Sequence, residues 1–359
     1  MIKIYSVIAG TGSYIPSNRV ANEDFIGNSF YGSDGKLLDS SNRNIIDKFL
    51  EITTIEERRY VTDNLKASDI AHLAALDAIE SSGVDRETLD YIIVAHNFGD
   101  VAAGSNRVDM VPSLGARVKH LLKIKNPNTV AYDIIFGCPG WVQAVIQADY
   151  FIKSGDAKRV LVVGVDVLSR VSDPHDRDSM LYADGAGATI FEGKESDTPI
   201  GILAHKTRTD SLLYSQMLHV GPSYNPELKE GGDTFIKMNG RRLYQYALDT
   251  VPTTVKECIE KSNTPFSDIK KVLIHQANGK MDDAILKRLF TLYGIDEVPE
   301  DIMPMTIAKL GNSSVATVPT LLDLILKSKM EGHAIEKGDT VVLASVGAGM
   351  SINAVVYKM

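Results

Sequence analysis

The chain has 359 residues, of which 44% are hydrophobic and 23% charged, and its formal net charge is −8. These values exclude a disordered chain and a strongly basic nucleic-acid-binding protein, and two cysteines, Cys138 and Cys258, are too few for a disulfide scaffold. Since no apolar run is long enough for a membrane span and the first residues lack the layout of a signal peptide, we expect a cytoplasmic protein without membrane or nucleic-acid partners.

Short β-branched runs alternate with longer helical patterns along the chain, which is typical of an α/β fold. We predict strands over Ile2–Ala9, Tyr91–His96, Thr129–Ile135, Arg159–Val165, Gly187–Phe191, Ile200–His205, Lys271–His275, Thr340–Ser345 and Ser351–Tyr357. We predict helices over Ala67–Ser82, Ser113–Leu122, Trp141–Ser154, Arg241–Ser262, Met281–Tyr293 and Val315–Met330. Several strands are apolar on both faces, and the helix from Trp141 is apolar nearly all round, so both kinds of element are expected to be buried.

A weak internal repeat links the two ends of the chain. In the first part, a strand ending at His96 is followed by a helix, by Gly137-Cys138, and by a second helix and strand. In the second part, a strand ending at His275 is followed by a helix, by Gly311-Asn312, and again by a helix and strand. The matching order predicts two copies of one α/β unit.

The repeat sets the predicted domain boundaries. We predict a first half over residues 1–195 and a second over residues 196–359, which meet in the polar, turn-rich segment 193–199. Two segments, 24–45 and 206–236, break the pattern and are expected to be ordered insertions over a surface or a pocket mouth.

Cys138 is the first candidate for chemistry, because it stands between Gly137 and Pro139 at the start of the apolar helix. Proline is favoured in the first turn of a helix, so the thiol is expected at a helix N-terminus, where the macrodipole stabilises a thiolate. The alternative is a small buried hydrophobic residue, as most free cysteines are, and position alone leaves both open. Cys258 lies in the middle of a predicted helix and is expected to belong to the core.

A nucleophilic cysteine needs a histidine partner, and the chain has eight histidines. His275 is the best placed, since it ends a predicted strand, and His96 at the equivalent place in the first half ranks second. His175 lies in an Asp-rich turn without a second His or Cys at ligand spacing, so no metal site is predicted. The remaining histidines are expected to be structural: His72, His120, His205, His219 and His333.

Asn312 is the counterpart of Cys138 in the repeat. It is either an N-cap or, if the two helix starts face one pocket, an amide that donates to a developing oxyanion. Gly347-Ala348-Gly349 follows a late strand and offers a backbone N–H to the same pocket, whereas Gly10-Thr11-Gly12 lacks the third glycine of a dinucleotide fingerprint.

These residues and their surroundings resemble the thiolase-fold condensing enzymes, specifically the β-ketoacyl-acyl-carrier-protein synthase III family. The matching blocks, spread almost end to end, are Gly137–Gly140, Val162–Arg170, Asp173–Arg177, Asp184–Ala188, His275–Asn278 and Gly311–Ser314. The resemblance implies a five-layered αβαβα fold of two duplicated halves, a homodimer and a Cys-His-Asn active site.

The resemblance also implies the chemistry. Cys138 would accept an acyl group from a thioester, and His275 and Asn312 would promote decarboxylation of malonyl-carrier protein. The Cys138 and Ala348 backbone N–H groups would form the oxyanion hole. No cofactor is expected beyond the acyl-CoA or acyl-carrier-protein substrate. The alternatives are an enzyme that transfers or condenses acyl groups without malonyl decarboxylation, and a non-catalytic partner subunit of the same fold.

Binding positions carry over in the same way. Arg177 matches an arginine associated with coenzyme A, Asn278 a pantetheine-binding residue, and Lys280 a residue that contacts the carrier protein. Val111 stands where a residue from across the dimer limits acyl-chain length, and its small size favours longer or branched acyl groups.

Two further expectations concern the substrate's carrier. Lys48 and Ile52 occupy the places of a Trp and an Arg that sandwich adenine in the family, which argues against acetyl-CoA as the primer. An acidic carrier protein needs a local basic patch on an enzyme of net charge −8. The candidates for that patch are Lys237, Arg241, Arg242, Lys280, Lys287 and Arg288.

Overall fold

Two main β-sheets and three two-stranded sheets make up the β-structure of the computed structural model, which describes residues 2–359 apart from the side chains of Lys229 and Glu230. The strands are β1 (Lys3–Tyr14), β2 (Asn18–Ala21), β3 (Glu57–Tyr60), β4 (Tyr91–Ala95), β5 (Asp100–Val101), β6 (Val108–Asp109), β7 (Val130–Ile134), β8 (Arg159–Val167), β9 (Asp184–Ser196), β10 (Gly201–Thr209), β11 (Leu218–Pro222), β12 (Thr234–Met238), β13 (Ile269–Ile274), β14 (Thr340–Gly347) and β15 (Ser351–Lys358).

The helices are α1 (Asn42–Thr53), α2 (Ala67–Ser82), α3 (Leu114–Leu121), α4 (Gly140–Ser154), α5 (Ser211–Tyr214), α6 (Gly240–Lys261), α7 (Gly279–Thr291), α8 (Ile307–Leu310) and α9 (Thr317–Leu326). Short 3₁₀ turns join several of them, including Arg177–Leu181, Ser314–Ala316 and Ala348–Met350. Within residues 2–359, none of the helices has both the length and the apolar character needed to cross a bilayer.

The two main sheets repeat one topology. The first has the order β1-β9-β8-β4-β7, with β4 parallel to β7 and β8, and β9 antiparallel to β8 and β1. The second has the order β10-β15-β14-β13, with β13 parallel to β14, and β15 antiparallel to β14 and β10. The order β1-β9-β8-β4 therefore corresponds strand by strand to β10-β15-β14-β13, as the internal repeat predicts.

The helices complete five layers around these sheets. Helices α2 and α3 cover the outer face of the first sheet, α6 and α7 cover the outer face of the second, and α4 and α9 lie between the sheets. Strand β8 is covered on both faces, since Val162 packs in the middle layer and Val163 against the outer helices. The predicted αβαβα architecture is thus confirmed. The division at residues 195 and 196 stays a prediction, and β9 ends at Ser196.

Most element boundaries differ from the predicted ones by a few residues. Strand β1 continues through Gly10 and Gly12, because these glycines let it approach α2 so closely that a Cβ on Gly12 would lie 2.3 Å from the Ala74 carbonyl oxygen. Helix α9 is shorter than predicted, since a 3₁₀ turn precedes it and Ser328, with φ +55°, lies just beyond its end. Cys258 is buried in the outer core of the second sheet, as expected.

The middle layer determines where the site lies. Cys138 comes two residues before α4, and Asn312 comes two residues before the 3₁₀ turn that leads into α9. His275 directly follows β13 at the carboxyl end of a parallel strand, where loops of α/β sheets collect ligand-binding groups. The duplication therefore brings three residues, distant in sequence, to one place between the halves.

Candidate active site

Cys138, His275 and Asn312 line one cavity of about 840 Å³, a volume typical of small-molecule sites. Its walls are largely apolar and come from both halves of the chain. The apolar lining includes Leu38, Ile45, Phe49, Phe98, Leu168, Leu181, Leu218, Val220, Ile236, Met238 and Leu243. Both predicted insertions supply part of this wall.

Cys138 lies on the wall of this cavity, just before α4. Gly137 has φ +69°, a conformation that favours glycine, and Pro139 is the N-cap of α4. Cys138 is partly buried and lines the cavity. Burial raises the pKa of the Cys138 thiol to about 11, although a hydrogen bond from Ser314 acts to lower it. The expected thiolate is therefore not the resting form, because loss of water around the sulfur outweighs the favourable contacts.

His275 is neutral in this environment. Its backbone N–H donates to the Ala344 carbonyl at 2.9 Å, which ties it to β14. Burial lowers the pKa of the imidazole to about 4, and within the described residues Nδ1 has no hydrogen-bond partner. A neutral ring can donate one hydrogen bond to a substrate oxygen without carrying charge into the cavity.

Asn312 is fixed by its neighbours on both sides. Its backbone N–H donates to the Leu181 carbonyl at 3.0 Å, and its own carbonyl accepts from Ala183 N–H at 2.9 Å. The side-chain Oδ1 accepts from Ser314 N–H at 2.8 Å. With its oxygen occupied, the amide has its Nδ2 hydrogens left to offer as donors.

Two glycine-containing turns meet beside the thiol. A Cβ built on Gly137 would lie 2.7 Å from the Ala348 backbone nitrogen, and one built on Gly347 would lie 2.6 Å from the Cys138 backbone nitrogen. The two backbones thus touch at a distance that only glycine allows. This contact puts the Cys138 and Ala348 amides, predicted to form an oxyanion hole, next to one another.

Comparison with known proteins assigns the family. Residues 132–211 match the family described as 3-oxoacyl-[acyl-carrier-protein (ACP)] synthase III, and residues 259–359 match its C-terminal part. A β-ketoacyl-[acyl-carrier-protein] synthase III of Xanthomonas euvesicatoria pv. vesicatoria is 31% identical over 350 residues, covering 97% of each chain. The chain belongs to the β-ketoacyl-[acyl-carrier-protein] synthase III family.

Two more relatives agree. The synthase III of Aliivibrio fischeri is 32% identical over 356 residues, which is 99% of this chain and 100% of that one. The crystal structure of a synthase III from Thermus thermophilus superposes with a TM-score of 0.79 at 29% identity, covering 98% and 99% of the two chains. The predicted thiolase-like fold is confirmed, and family membership makes this chain a condensing acyltransferase.

The remaining predicted binding residues of this synthase III-type chain fall in three places. Arg177 and Asn278 line the cavity, and Asn278 also caps α7 by accepting from Met281 N–H at 3.1 Å. Lys280 is absent from the cavity wall and lies with its Nζ 3.7 Å from Glu51 Oε1. Val111 is 85% exposed and does not line the cavity of its own chain, so its role across a dimer stays a prediction.

The predicted basic patch includes one residue, Lys237, that is not available at the surface. Lys237 is buried, with Nζ 2.5 Å from Asp173 Oδ2 and 3.3 Å from Asp176 Oδ2, and it lies over the Tyr224 ring. The reason is that the β11–β12 hairpin folds back onto the Asp-rich turn, where a buried lysine must be paired. Arg241, in contrast, does line the cavity, as do Lys48 and Ile52.

Two histidine predictions need correction. His96 does not line the cavity, because Gly99 N–H donates to its Nδ1 at 3.0 Å and its Nε2 lies 2.9 Å from Asp133 Oδ2. Both ring nitrogens are thus used internally, and His96 is structural. His219, expected to be structural, lies on the cavity wall. His175 contacts the Ser29 carbonyl, and residues 2–359 hold no cluster of three or more potential metal ligands.

Three residues on the cavity wall were not among the candidates indicated by the sequence: Asn97, Tyr182 and Ser314. Tyr182 has a buried hydroxyl without a hydrogen-bond partner among the described residues, and its backbone pairs with Asn312. Asn97 directly follows the strand-end histidine, and Ser314 follows Asn312 by two positions. Proximity to a predicted strand end and to the Gly-Asn-Ser-Ser block are the signals that would have found them.

Proposed function

We propose that this enzyme transfers an acyl group from a thioester to Cys138 and condenses it with malonyl-[acyl-carrier-protein], giving a 3-oxoacyl-carrier protein. The observation that carries the proposal is the convergence of Cys138, His275 and Asn312 on one cavity, beside the contact of the Gly137-Cys138 turn with the Gly347-Ala348 turn. Such a reaction initiates fatty acid synthesis or a related pathway.

In the first step, the Cys138 sulfur attacks the carbonyl carbon of the acyl thioester. The new C–S bond forms as the bond to the carrier sulfur breaks, and the proton of the Cys138 thiol passes overall to the leaving carrier thiol. The Cys138 and Ala348 N–H groups stabilise the intermediate's oxyanion. Because the resting thiol is neutral, its deprotonation belongs to this step.

In the second step, malonyl-carrier protein loses carbon dioxide. The electron pair of the broken C–C bond enters the thioester as an enolate, whose oxygen accepts hydrogen bonds from His275 and Asn312. Burial keeps His275 neutral, so it stabilises the enolate as a donor and does not serve as a permanent charge. The Asn312 amide contributes its Nδ2 hydrogens while Ser314 N–H occupies its oxygen.

In the third step, the enolate carbon attacks the carbonyl of the acyl-Cys138 thioester. The C–S bond to Cys138 breaks, the 3-oxoacyl-carrier protein leaves, and the Cys138 thiolate takes up a proton. The same two backbone N–H groups serve this tetrahedral intermediate. The sequence consumes one proton and needs no redox partner or metal.

The substrate arm and the partners follow from the wall of the cavity. Arg177 and Asn278 line it and are proposed to hold the pantetheine arm, with Lys280 contacting the carrier protein outside. The extensive apolar wall, together with Lys48 and Ile52, supports an acyl primer longer than acetyl. We further propose that the enzyme acts as a cytoplasmic homodimer in which the partner's Val111 limits chain length, without a cofactor other than its thioester substrates.

The proposal is tested by intact-protein mass spectrometry with a panel of acyl-CoA and acyl-carrier-protein thioesters. We expect a mass increase of one acyl group on the wild-type chain and none on Cys138→Ser. Cys258→Ser is the matched control, because Cys258 is the other cysteine and lies in the core, so it should acylate as the wild type does. Failure of the wild type to acylate with any member of the panel would refute the proposal.

A second variant separates the two halves of the reaction. His275→Ala should still acylate on Cys138, while release of ¹⁴CO₂ from labelled malonyl-carrier protein falls by orders of magnitude. Equal loss of both steps would contradict the role assigned to His275. Neither alternative raised by the sequence is favoured by the relatives from Xanthomonas euvesicatoria and Aliivibrio fischeri, which are both named as synthases of type III.

A further inference from the structure

The Cys138 sulfur has a hydrogen-bond donor of its own. Ser314 Oγ lies 3.2 Å from Cys138 Sγ, and Asn97 Nδ2 lies 3.1 Å from the same Oγ. Asn97 Nδ2 also lies 2.7 Å from Asp166 Oδ2, and Asn97 N–H donates to Asp166 Oδ1 at 2.9 Å. A chain of contacts therefore runs from a buried carboxyl group through an amide and a hydroxyl to the thiol.

The direction of this chain follows from the chemistry of its members. An amide NH₂ can only donate, so Asn97 gives one hydrogen to Asp166 and the other to Ser314 Oγ. With Oγ accepting from Asn97, the Ser314 hydroxyl has one hydrogen to give. Cys138 Sγ at 3.2 Å is one acceptor for it, and Asp166, whose pKa a hydrogen bond from Ser314 acts to lower, is the other. The sulfur therefore has within hydrogen-bond distance a hydroxyl group whose oxygen Asn97 holds in place.

Asp166 anchors this series of hydrogen bonds. Burial raises the pKa of Asp166 to about 6, so the group is ionised above neutral pH, where it accepts from Asn97 twice and from Val315 N–H at 3.5 Å. A carboxylate that accepts several N–H groups is a rigid anchor. It is the reason that the Asn97 amide cannot turn away from Ser314.

The backbone of Ser314 is also held in an unusual conformation. Its φ is +52°, in the left-handed region that non-glycine residues rarely adopt, and Asn312 Oδ1 fixes it by accepting its N–H. Ser314 is 3% exposed. Strained residues at such places persist where the surroundings determine them, and here the result is a hydroxyl aimed at the nucleophile.

We propose that Ser314 is a positioning residue for the nucleophile, whose hydroxyl, held by Asn97 and Asp166, donates to the Cys138 sulfur as the thiolate forms and leaves. The catalytic meaning of this role rests on the proposed function of Cys138. The contact itself does not, since a hydrogen bond to the sulfur alters its reactivity toward any electrophile.

Alkylation of Cys138 by iodoacetamide tests the contact without an acyl substrate. A hydrogen bond to a charged group is strong enough to shift the thiol pKa by about one unit, so Ser314→Ala should reduce the thiolate fraction about tenfold. The more basic thiolate is about threefold more nucleophilic, which leaves alkylation about threefold slower. The rate is measured between pH 7 and 9, with the modified cysteine located by mass spectrometry.

The titratable groups around the sulfur leave this pH range clear. His275 has its pKa lowered to about 4 by burial and Asp166 has its pKa raised to about 6, so at pH 7 His275 is neutral and Asp166 is about nine-tenths ionised. Burial raises the pKa of Tyr182 well above its ordinary value, so this side chain stays neutral. A change in alkylation rate between pH 7 and 9 therefore reports on the thiol.

Two variants and one control keep the test decisive. Ser314→Gly also removes the hydroxyl, and because glycine adopts a positive φ without strain, it should fold normally and show the same slowing as Ser314→Ala. Ser345→Ala removes another buried serine hydroxyl, one without a partner among the described residues, and should alkylate at the wild-type rate. Wild-type alkylation in both Ser314 variants, with unchanged melting temperature, would overturn the proposal.

Asn97→Ala tests the chain behind the hydroxyl. It should slow alkylation less than Ser314→Ala does, and the double variant should be no slower than Ser314→Ala alone, because Asn97 acts through Ser314. Fully additive effects would contradict this coupling. The two proposals can also be refuted separately. If the wild type never acylates but the Ser314 variants alkylate slowly, only the proposed condensing function is refuted. If those variants alkylate at the wild-type rate, only the role of Ser314 is refuted.

Discussion

Replacing Gly347 with alanine tests whether the contact between the two glycine turns serves catalysis. Gly347 has φ −170° and ψ −161°, an extended conformation that alanine also adopts, so the substitution adds no backbone strain. The added Cβ would lie 2.6 Å from Cys138 N, 2.7 Å from Pro139 Cδ and 2.8 Å from Cys138 Cβ. Nothing flexible is available to give way, since these atoms belong to backbone, a proline ring and the root of a side chain.

The size of the effect follows from the distance. Ordinary contact begins near 3.4 Å, so the turns at Cys138 and Ala348 must separate by about 0.8 Å to accept the methyl group. A displacement of about 1 Å in a catalytic group costs roughly a hundredfold in rate. Loss of one oxyanion-hole donor costs a similar factor or more, which corresponds to about 3 kcal/mol in activation free energy. We therefore expect Gly347→Ala to slow acylation of Cys138 by about a hundredfold.

Single-turnover acylation, followed by quenching and mass spectrometry, measures this rate directly. Gly27→Ala is the matched control, because a Cβ on Gly27 would meet no atom within 4 Å, and its acylation rate should equal that of the wild type. Melting temperatures of both variants show whether the fold survives. A Gly347→Ala enzyme that folds and acylates within threefold of the wild-type rate would refute the assignment of the Cys138 and Ala348 amides to an oxyanion hole.

Two further predictions concern stability. Burial lowers the pKa of His275 to about 4, so between about pH 6.5 and pH 4 this side chain binds a proton in the unfolded chain but not in the folded one. The free energy of unfolding therefore falls by about 3 kcal/mol in total as the pH falls through that range. In a pH series of melting temperatures, His275→Gln should lose less stability on acidification than the wild type. An equal acid loss in both chains would contradict this account. Lys237→Met leaves the buried Asp173 carboxylate without its cation and should lower the free energy of unfolding by about 3–5 kcal/mol. Urea titrations followed by the fluorescence of Trp141, the single and fully buried tryptophan, measure this change. The control variant Arg242→Met should change the stability little. A variant as stable as the wild type would show that the pair is not stabilising.

Local sequence patterns predicted the elements of this protein well. Helix α2 has the predicted bounds, and the strands that begin at Arg159 and Thr340 were found as apolar runs, because strands covered on both faces must be apolar at every position. The repeat predicted the duplicated topology, since two copies of one unit keep the same order of elements. The extension of β1 through its glycines was not predicted, because these glycines contact α2, which lies far along the chain.

Among the candidate site residues too, those marked by local sequence were predicted better than those whose setting depends on distant contacts. Cys138, His275 and Asn312 stand at helix starts and a strand end, which are features of local sequence, and the structure brings them to one cavity. Their catalytic roles stay predictions. Lys237 was misjudged, because its burial depends on a hairpin that returns to Asp173 across 64 positions of sequence. His96 was misjudged for a similar reason, since Asp133, which takes one of its ring nitrogens, lies 37 residues away.

The sequence by itself determined the α/β class, the duplication and the three candidate residues that line the cavity, because periodicity, turn residues and repeat order are local properties. Only the tertiary structure decided the protonation of those residues and their neighbours. Burial between two sheets makes Cys138 and His275 neutral, and Ser314 reaches Cys138 across 176 positions of sequence. Desolvation and hydrogen bonding depend on which atoms surround a group, and that environment exists only once the two halves have packed together.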